Sequence, residues 1–497
     1  MKKYSLLMIM AGLVLGVGAC STDPVSNLNQ VKPGTDHASY NELFEGVLYF
    51  TRINLGNQAI MFASFSRDAM NFTTTDNEFI TMWGGDGTAI SPSRFYGVTN
   101  WTNWFTAIRQ AQQLLTTLPN AVPAYSASDM AKWKGVIYTI EAYAYMNAEA
   151  NKDTLGLPYN GPLGNVNTPA PILCARDAWK AIVALLDSAE TQLNVDQSAG
   201  LPMPLPTGFN AVSAQASPST TAGSFAAFNR ALAAKANLEL AYAIARSPGG
   251  TPPTLTSAGS PDAAALNRAD SALHASALYN PGALAPPQPG DFSEALAVYQ
   301  NFSGASGDIA NPWQGTYQTT AYMLNETLAD IEPADKRLAK IIVAQDTIAG
   351  TPYAPGIASK YTFGMYQSPS SPMPMIRNEE LNLFEAQIRL GLNDIAGAVK
   401  AINAVRQNVG GLPAVSSLGQ TYFTVRDQIL HELRASTMGE PNGDRVAAIR
   451  DYAMPTVADT TWDHDGKKQG PDLHTTVEPF PVTDITTRNG NTSYTCP

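Results

Sequence analysis

Residues 377–406 read RNEELNLFEAQIRLGLNDIAGAVKAINAVR, and their spacing decides the fold class. Leu381, Phe384, Ile388 and Leu392 recur at three- and four-residue steps. Ile395, Val399 and Ile402 do the same after a break at Gly391–Asn393. Each set therefore lies on one face of a helix. Ala386, Gly391, Ala396, Ala398 and Ala401 are small enough for the two helices to approach closely. Gly410 and Gly411 stop the second helix, and Pro413 prevents an immediate restart. With its stop the unit is about 34 residues long, the period of a tetratricopeptide helix pair. The stretch holds no ligand cluster, nucleophile motif or phosphate loop, so it reads as a packing unit, with Arg377, Glu380 and Arg406 pinning helices and loops.

The same periodicity extends outward. It predicts helices over 37–56, 95–118, 126–150, 176–193, 225–246, 263–278, 422–437 and 444–453, with short helical pieces near 322–330 and 337–344. Residues 62–92 read mainly as loop. Residues 195–222 form a Pro/Ser/Thr/Gly-rich linker, and 279–376 carry aromatic residues in loops, among them Tyr299, Trp313, Tyr317, Phe363 and Tyr366. Strand signals are few and short. The expected class is all-α, with helix pairs backing long irregular loops of the kind that carry function.

The amino terminus reads as an export signal. Lys2 and Lys3 precede an apolar run of about a dozen residues, too short to span a bilayer comfortably. It ends in Val17-Gly18-Ala19-Cys20, the pattern of a bacterial lipoprotein signal cleaved before a lipidated Cys20. The organisation expected is a signal over 1–19, a lipidated tether over 20–36 and one helical domain over 37–497. That domain has an N-terminal half of about 37–247 and a C-terminal half of about 262–497. Cys174 and Cys496 form an even pair in an exported chain, and a disulfide or two free thiols fit equally.

Composition excludes several functions. The net charge is −11, and loss of Lys2 and Lys3 makes it −13, whereas nucleic-acid binding needs a basic footprint. No later apolar run of membrane length occurs, so the lipid is the only expected membrane attachment. The five histidines show no zinc-ligand spacing, and no nucleophile elbow, phosphate loop or dinucleotide fingerprint is present. The reading expects no catalysis, no metal and no cofactor. Asp76, Glu78 and Asp86 leave open an anchored glycoside hydrolase, which needs two carboxylates about 5–10 Å apart. A helical scaffold that binds peptide or protein is the other alternative. Asp463-His464-Asp465 reads as a solvated polar turn.

The order of short motifs resembles that of the SusD/RagB-like outer-membrane nutrient-binding lipoproteins over nearly the whole mature chain. Pro374 to Ala386 is similar to the family's P-x-x-R-x-x-E segment, and Ala398 to Arg406 to its A-x-x-x-I-N-x-V-R continuation. Trp101, Phe105, Ile108, Ala111 and Gln112 resemble W-x-x-x-Y-x-x-I-x-x-A-N. Gly135 to Tyr145 with Gly156-Leu157-Pro158, Ile429 with Glu432, Gly443 to Arg450, and Phe480 to Ile485 follow in the family's order. Glu141, Leu433 and Ala448 depart from it, standing where Arg, Arg and Asp are usual, and Gly490 replaces a proline.

The resemblance implies a tetratricopeptide-like superhelix with long loops. It also implies a lipid-anchored protein on the cell surface that delivers a bulky nutrient, commonly a glycan, to a SusC-like TonB-dependent outer-membrane barrel. A sugar binder needs aromatic faces and nearby hydrogen-bonding side chains. On that basis Trp83 with Asp86, and Trp313 with Gln314 and Tyr317, are the candidate ligand residues, with Asn71 and Arg94 as lesser ones.

Overall fold

The computed structural model describes residues 36–53, 55–66, 68–72, 95–161, 170–212, 222–254, 256–288, 292–303, 308–318, 320–323, 325–349 and 358–452. The amino-terminal half carries α1 (His37–Arg52), α2 (Leu55–Phe65), β1 (Ala69–Asn71), α3 (Phe95–Thr117), α4 (Ala127–Lys152), β2 (Leu157–Pro158), β3 (Ile172–Leu173), α5 (Ala175–Leu193) and α6 (Ala222–Arg246). There follow α7 (Ala263–Ala275), β4 (Ala297–Gln300), α8 (Pro312–Thr316), β5 (Ala321–Met323), α9 (Asn325–Asp330), β6 (Ile341–Ala349), β7 (Ala358–Phe363) and β8 (Met373–Arg377). The remaining helices are α10 (Asn378–Gly391), α11 (Ile395–Asn408), α12 (Tyr422–Thr437) and α13 (Asp444–Asp451).

Local chemistry sets these boundaries. Asp36 Oδ1 accepts from the Ser39 N–H at 2.8 Å and starts α1. Ser126 caps α4 by accepting from Asp129 N at 3.0 Å, and Thr421 with Thr424 closes a capping box on α12. The pair read from 377–406 is present. Its helix α10 ends at Gly391, Asn393 turns the chain with φ of 62°, and Asp394 caps α11 on Gly397 N at 2.8 Å. A Cβ on Gly391 would lie 2.7 Å from Leu266 Cδ1, so glycine lets the end of α10 press against α7.

Helices pack in succession. Contacts run α1–α3–α4–α5–α6–α7, and a second set joins α10, α11, α12 and α13, with α10 also against α6 and α7. Helix α5 shows one buried face through Trp179, Ile182, Val183, Leu186 and Leu193. Helix α4 is buried nearly all round, including Tyr143 and Tyr145, because α3, α5 and α6 all touch it. That explains why its aromatic residues define no single face.

Among the described residues the sheets are four antiparallel pairs, β1–β5, β2–β3, β4–β8 and β6–β7. Three expectations change here. The first predicted helix is two, broken after Arg52, and α2 takes in part of the expected loop. The short helical piece expected at 337–344 is a 3₁₀ turn, Lys336–Lys340, that runs into β6. The β-branched run Ile341-Ile342-Val343 favours the strand, where Ile341 pairs with Phe363 and Val343 with Tyr361. The hairpin is also longer than the short strands expected.

Candidate ligand-binding site

The chain around β4 and β8, with Glu440 from beyond α12, builds a pocket of about 70 Å³. At roughly 10–15 Å³ of such volume per water, it holds about five water-sized groups, enough for one substituent or edge of a larger ligand. Strands β4 and β8 pair Ala297 with Arg377 and Val298 with Ile376, and a register shift follows between Val298 and Tyr299. Tyr299 lines the pocket with Phe292 and Tyr366, and Pro372 and Pro374 add apolar wall. Ser293 and Ser371 bring hydroxyls, and Arg377 and Glu440 also contribute. Aromatic and proline surface beside hydroxyls and charged groups can take the apolar face and the polar edge of one ligand.

The Arg377 and Glu440 heads are fixed by neighbours. Arg377 donates to Glu440 Oε1 at 2.8 Å and Oε2 at 3.1 Å, to Glu379 Oε2 at 2.9 Å, to the Ser436 carbonyl at 2.8 Å, and also to Glu294. Lys340 Nζ stands 3.2 Å from Glu440 Oε1. Burial pushes the Glu294 carboxyl up to about 7, against the lowering pull of Arg377. Burial would raise Glu379 too, but Lys340, Arg377 and Arg337 together hold it down to about 2. The Tyr299 hydroxyl accepts from Glu294 N at 2.7 Å, and burial first, then the Glu294 charge, keeps it un-ionised. Glu440 spends both oxygens on cations, which suits anchoring and recognition better than proton transfer.

Arg377 therefore pins β8 to the loop after α12, as its position in 377–406 suggested, and it also reaches the pocket. Glu380 accepts from Asn442 Nδ2 at 2.6 Å, and Arg406 donates to the Pro413 carbonyl at 2.8 Å, so both tie helices to loops.

Of the residues chosen from sequence, Trp313, Gln314 and Tyr317 lie behind this pocket. Trp313 is 1% exposed and Tyr317 0%, so neither presents a ring face to a ligand. The Trp313 ring packs 5.6 Å from Tyr366 and 5.4 Å from Phe363, and the Tyr317 hydroxyl donates to Asn57 Oδ1 at 2.5 Å. Gln314 donates to the Tyr366 carbonyl. Asn311 caps α8 through Trp313 N at 2.8 Å, and its Nδ2 donates to the Ser371 carbonyl at 2.7 Å. The predicted group thus supports the pocket wall. Close approach explains the burial: a Cβ on Gly56 of α2 would lie 2.8 Å from the Pro312 carbonyl carbon. Asn71 is buried in β1 at 7% exposure. Trp83, Asp86 and Arg94 lie outside the described residues, as do Asp76 and Glu78. Tyr299 and Tyr366 were legible as loop aromatics, but nothing in the sequence singled them out from Trp313 and Tyr317. Cys174 is disulfide-bonded, while Cys20 and Cys496 lie outside the described residues.

Solved structures share this architecture. Surface glycan-binding protein A from Bacteroides uniformis matches at 14% identity over 91% of this chain and 98% of that one, with a TM-score of 0.62. A SusD superfamily protein from Bacteroides vulgatus matches at 13% identity over 91% and 97%, with a TM-score of 0.60. A SusD-like carbohydrate-binding protein from the same species matches at 14% identity over 84% and 83%, with a TM-score of 0.57. The chain has the SusD-like fold. No protein-family model matches its sequence, and no curated protein does.

Proposed function

We propose that the chain is a lipid-anchored cell-surface protein that binds a glycan, or another bulky nutrient with sugar-like polarity, and delivers it to a TonB-dependent outer-membrane barrel. The observation that carries this reading is the fold it shares, over 91% of its length, with surface glycan-binding protein A. The pocket adds aromatic rings and fixed polar groups suited to one edge of a sugar. The Val17–Cys20 motif supports the anchor. Among the described residues no helix is long and apolar enough to cross a membrane, which leaves that motif as the attachment read from the sequence.

Native affinity electrophoresis through a panel of soluble glycans tests the binding. At least one glycan should retard the protein, and Phe292→Ala and Ser371→Trp, both at half-buried positions, should relieve that retardation. Retardation unchanged in both variants would take the site away from this pocket. Turnover of a glycan, lost on Asp86→Asn, would establish the hydrolase instead. Capture of peptide with no retardation by any glycan would favour the scaffold. Globomycin-sensitive processing and co-purification with a large barrel test the anchor and the partner.

A further inference from the structure

We propose that Asp270, His274 and Glu385 bind one divalent cation of the zinc class at the seam between α7 and α10. Asp270 and His274 stand four residues apart on α7 and share a face. Glu385 comes from α10, which packs against α7. One donor atom from each residue falls within 4.8 Å of the others. A second observation points to a ligand: Glu385 is 7% exposed, yet its Oε2 has no hydrogen-bond partner. A buried carboxylate oxygen without a donor is costly, and a cation supplies what is missing.

The other groups at the seam fit that assignment. Arg389 donates from Nε to Glu385 Oε1 at 2.6 Å and from Nη2 to Asp270 Oδ1 at 2.7 Å. It orients both carboxylates as an outer-shell partner does, and uses one oxygen of each. With His274 neutral, Asp270, Glu385 and Arg389 carry one net negative charge, which attracts a cation. His274 Nδ1 lies 2.9 Å from the Asp270 carbonyl oxygen, which only accepts, and 3.3 Å from Asp270 Oδ1, so with the ring proton on Nδ1 the lone pair left for an ion is that of Nε2. The His274 side chain is 50% exposed, so the ion has a way in. Two carboxylates and an imidazole suit zinc, whereas calcium and magnesium prefer six or more oxygens. Three protein donors also leave the open position found in water-carrying zinc sites. No motif announced the site, because Glu385 is remote in sequence from Asp270 and His274.

The test uses the full mature protein, stripped with EDTA and titrated with zinc chloride against a chromophoric chelator. One equivalent should bind, and the thermal midpoint should rise with zinc. His274→Ala should lose affinity by at least about tenfold while its melting in EDTA stays that of the parent, since the side chain is half exposed. Glu385→Gln should lose affinity as well. Wild-type binding no tighter than that of His274→Ala would overturn the proposal. So would an equivalent retained by both variants, which would place the metal at other residues.

Discussion

Two buried charge clusters in this molecule are built on opposite terms. Around Arg337, both oxygens of Asp335 and both of Glu432 meet donors. Arg337 binds Asp335 Oδ2 and Glu432 Oε2 at 2.6 Å each, and Arg406 Nη1 meets Glu432 Oε1 at 3.2 Å. Ser436 joins this group to the pocket, through its hydroxyl to Arg337 and its carbonyl to Arg377. At the junction of α4, α6 and α13, Glu149, Asp153, Glu239 and Asp451 gather around Arg246, Arg450 and Lys235. Both oxygens of Glu149 are buried without a hydrogen-bond partner. Burial cost is common to both clusters, so the pairing decides the outcome. The first cluster holds its geometry fixed through those paired contacts, beside the pocket. The second favours protonated acids.

The largest effects should come from breaking the saturated cluster. Arg337→Ala leaves Asp335 and Glu432 buried without their main partner, and should cost about 3–5 kcal/mol in denaturant unfolding. Phe384→Ala, at a ring only 2% exposed, should cost a similar ~3–5 kcal/mol through its cavity. Ligand preference should survive that second change, because Phe384 does not line the pocket. A loss near zero for Arg337→Ala would mean that saturation of the cluster stabilises nothing.

The acid-rich cluster should appear as a pH dependence. Burial, only partly offset by Lys235 and Arg246, pushes the Glu239 carboxyl up to about 7 from 4.5. Burial and the Asp153 charge raise Glu149 well above its ordinary value. A carboxyl with a raised folded pKa stabilises the fold fully below its unfolded pKa, and this stability is lost as pH rises through the folded one. Glu379, held down to about 2, has the opposite sense: its contribution is present above 4.5 and is lost as pH falls towards 2. Glu239→Gln should therefore stabilise the protein at pH 8, by on the order of 2 kcal/mol, and change little at pH 4. Melting of parent and variant across that range checks it, and an equal shift at both pH values would sink the assignment.

The scaffold was legible in the sequence where one helix face meets one neighbour. The periodicity of 377–406 and of α5 could be read directly, since each apolar stripe is a record of what it packs against. Helix α4 was legible as a helix but not in its orientation, because neighbours cover it on several sides. The hairpin of β6 was misread because a 3₁₀ turn feeds straight into it. The site was less legible for a different reason. An aromatic in a stretch without clear periodicity reads the same whether it lines a pocket, as Tyr299 does, or backs its wall, as Trp313 does. The seam of Asp270, His274 and Glu385 and the acid cluster depend on contacts between distant segments, which periodicity does not encode.

The smallest expected effect supplies the control that both clusters need. Arg176 and Asp177 form an ion pair with N–O separation of 2.9 Å, close to the distances around Arg337, but their side chains are 41% and 44% exposed. Water already solvates both charges, so removing one leaves no buried orphan, and salt screens what attraction remains. Arg176→Ala should change stability by no more than about 0.5 kcal/mol at physiological ionic strength. A loss as large as that of Arg337→Ala would show that ion-pair distance alone sets the strength of these contacts. A negligible loss, beside a large one at Arg337, would place the difference in burial and in the completeness of pairing.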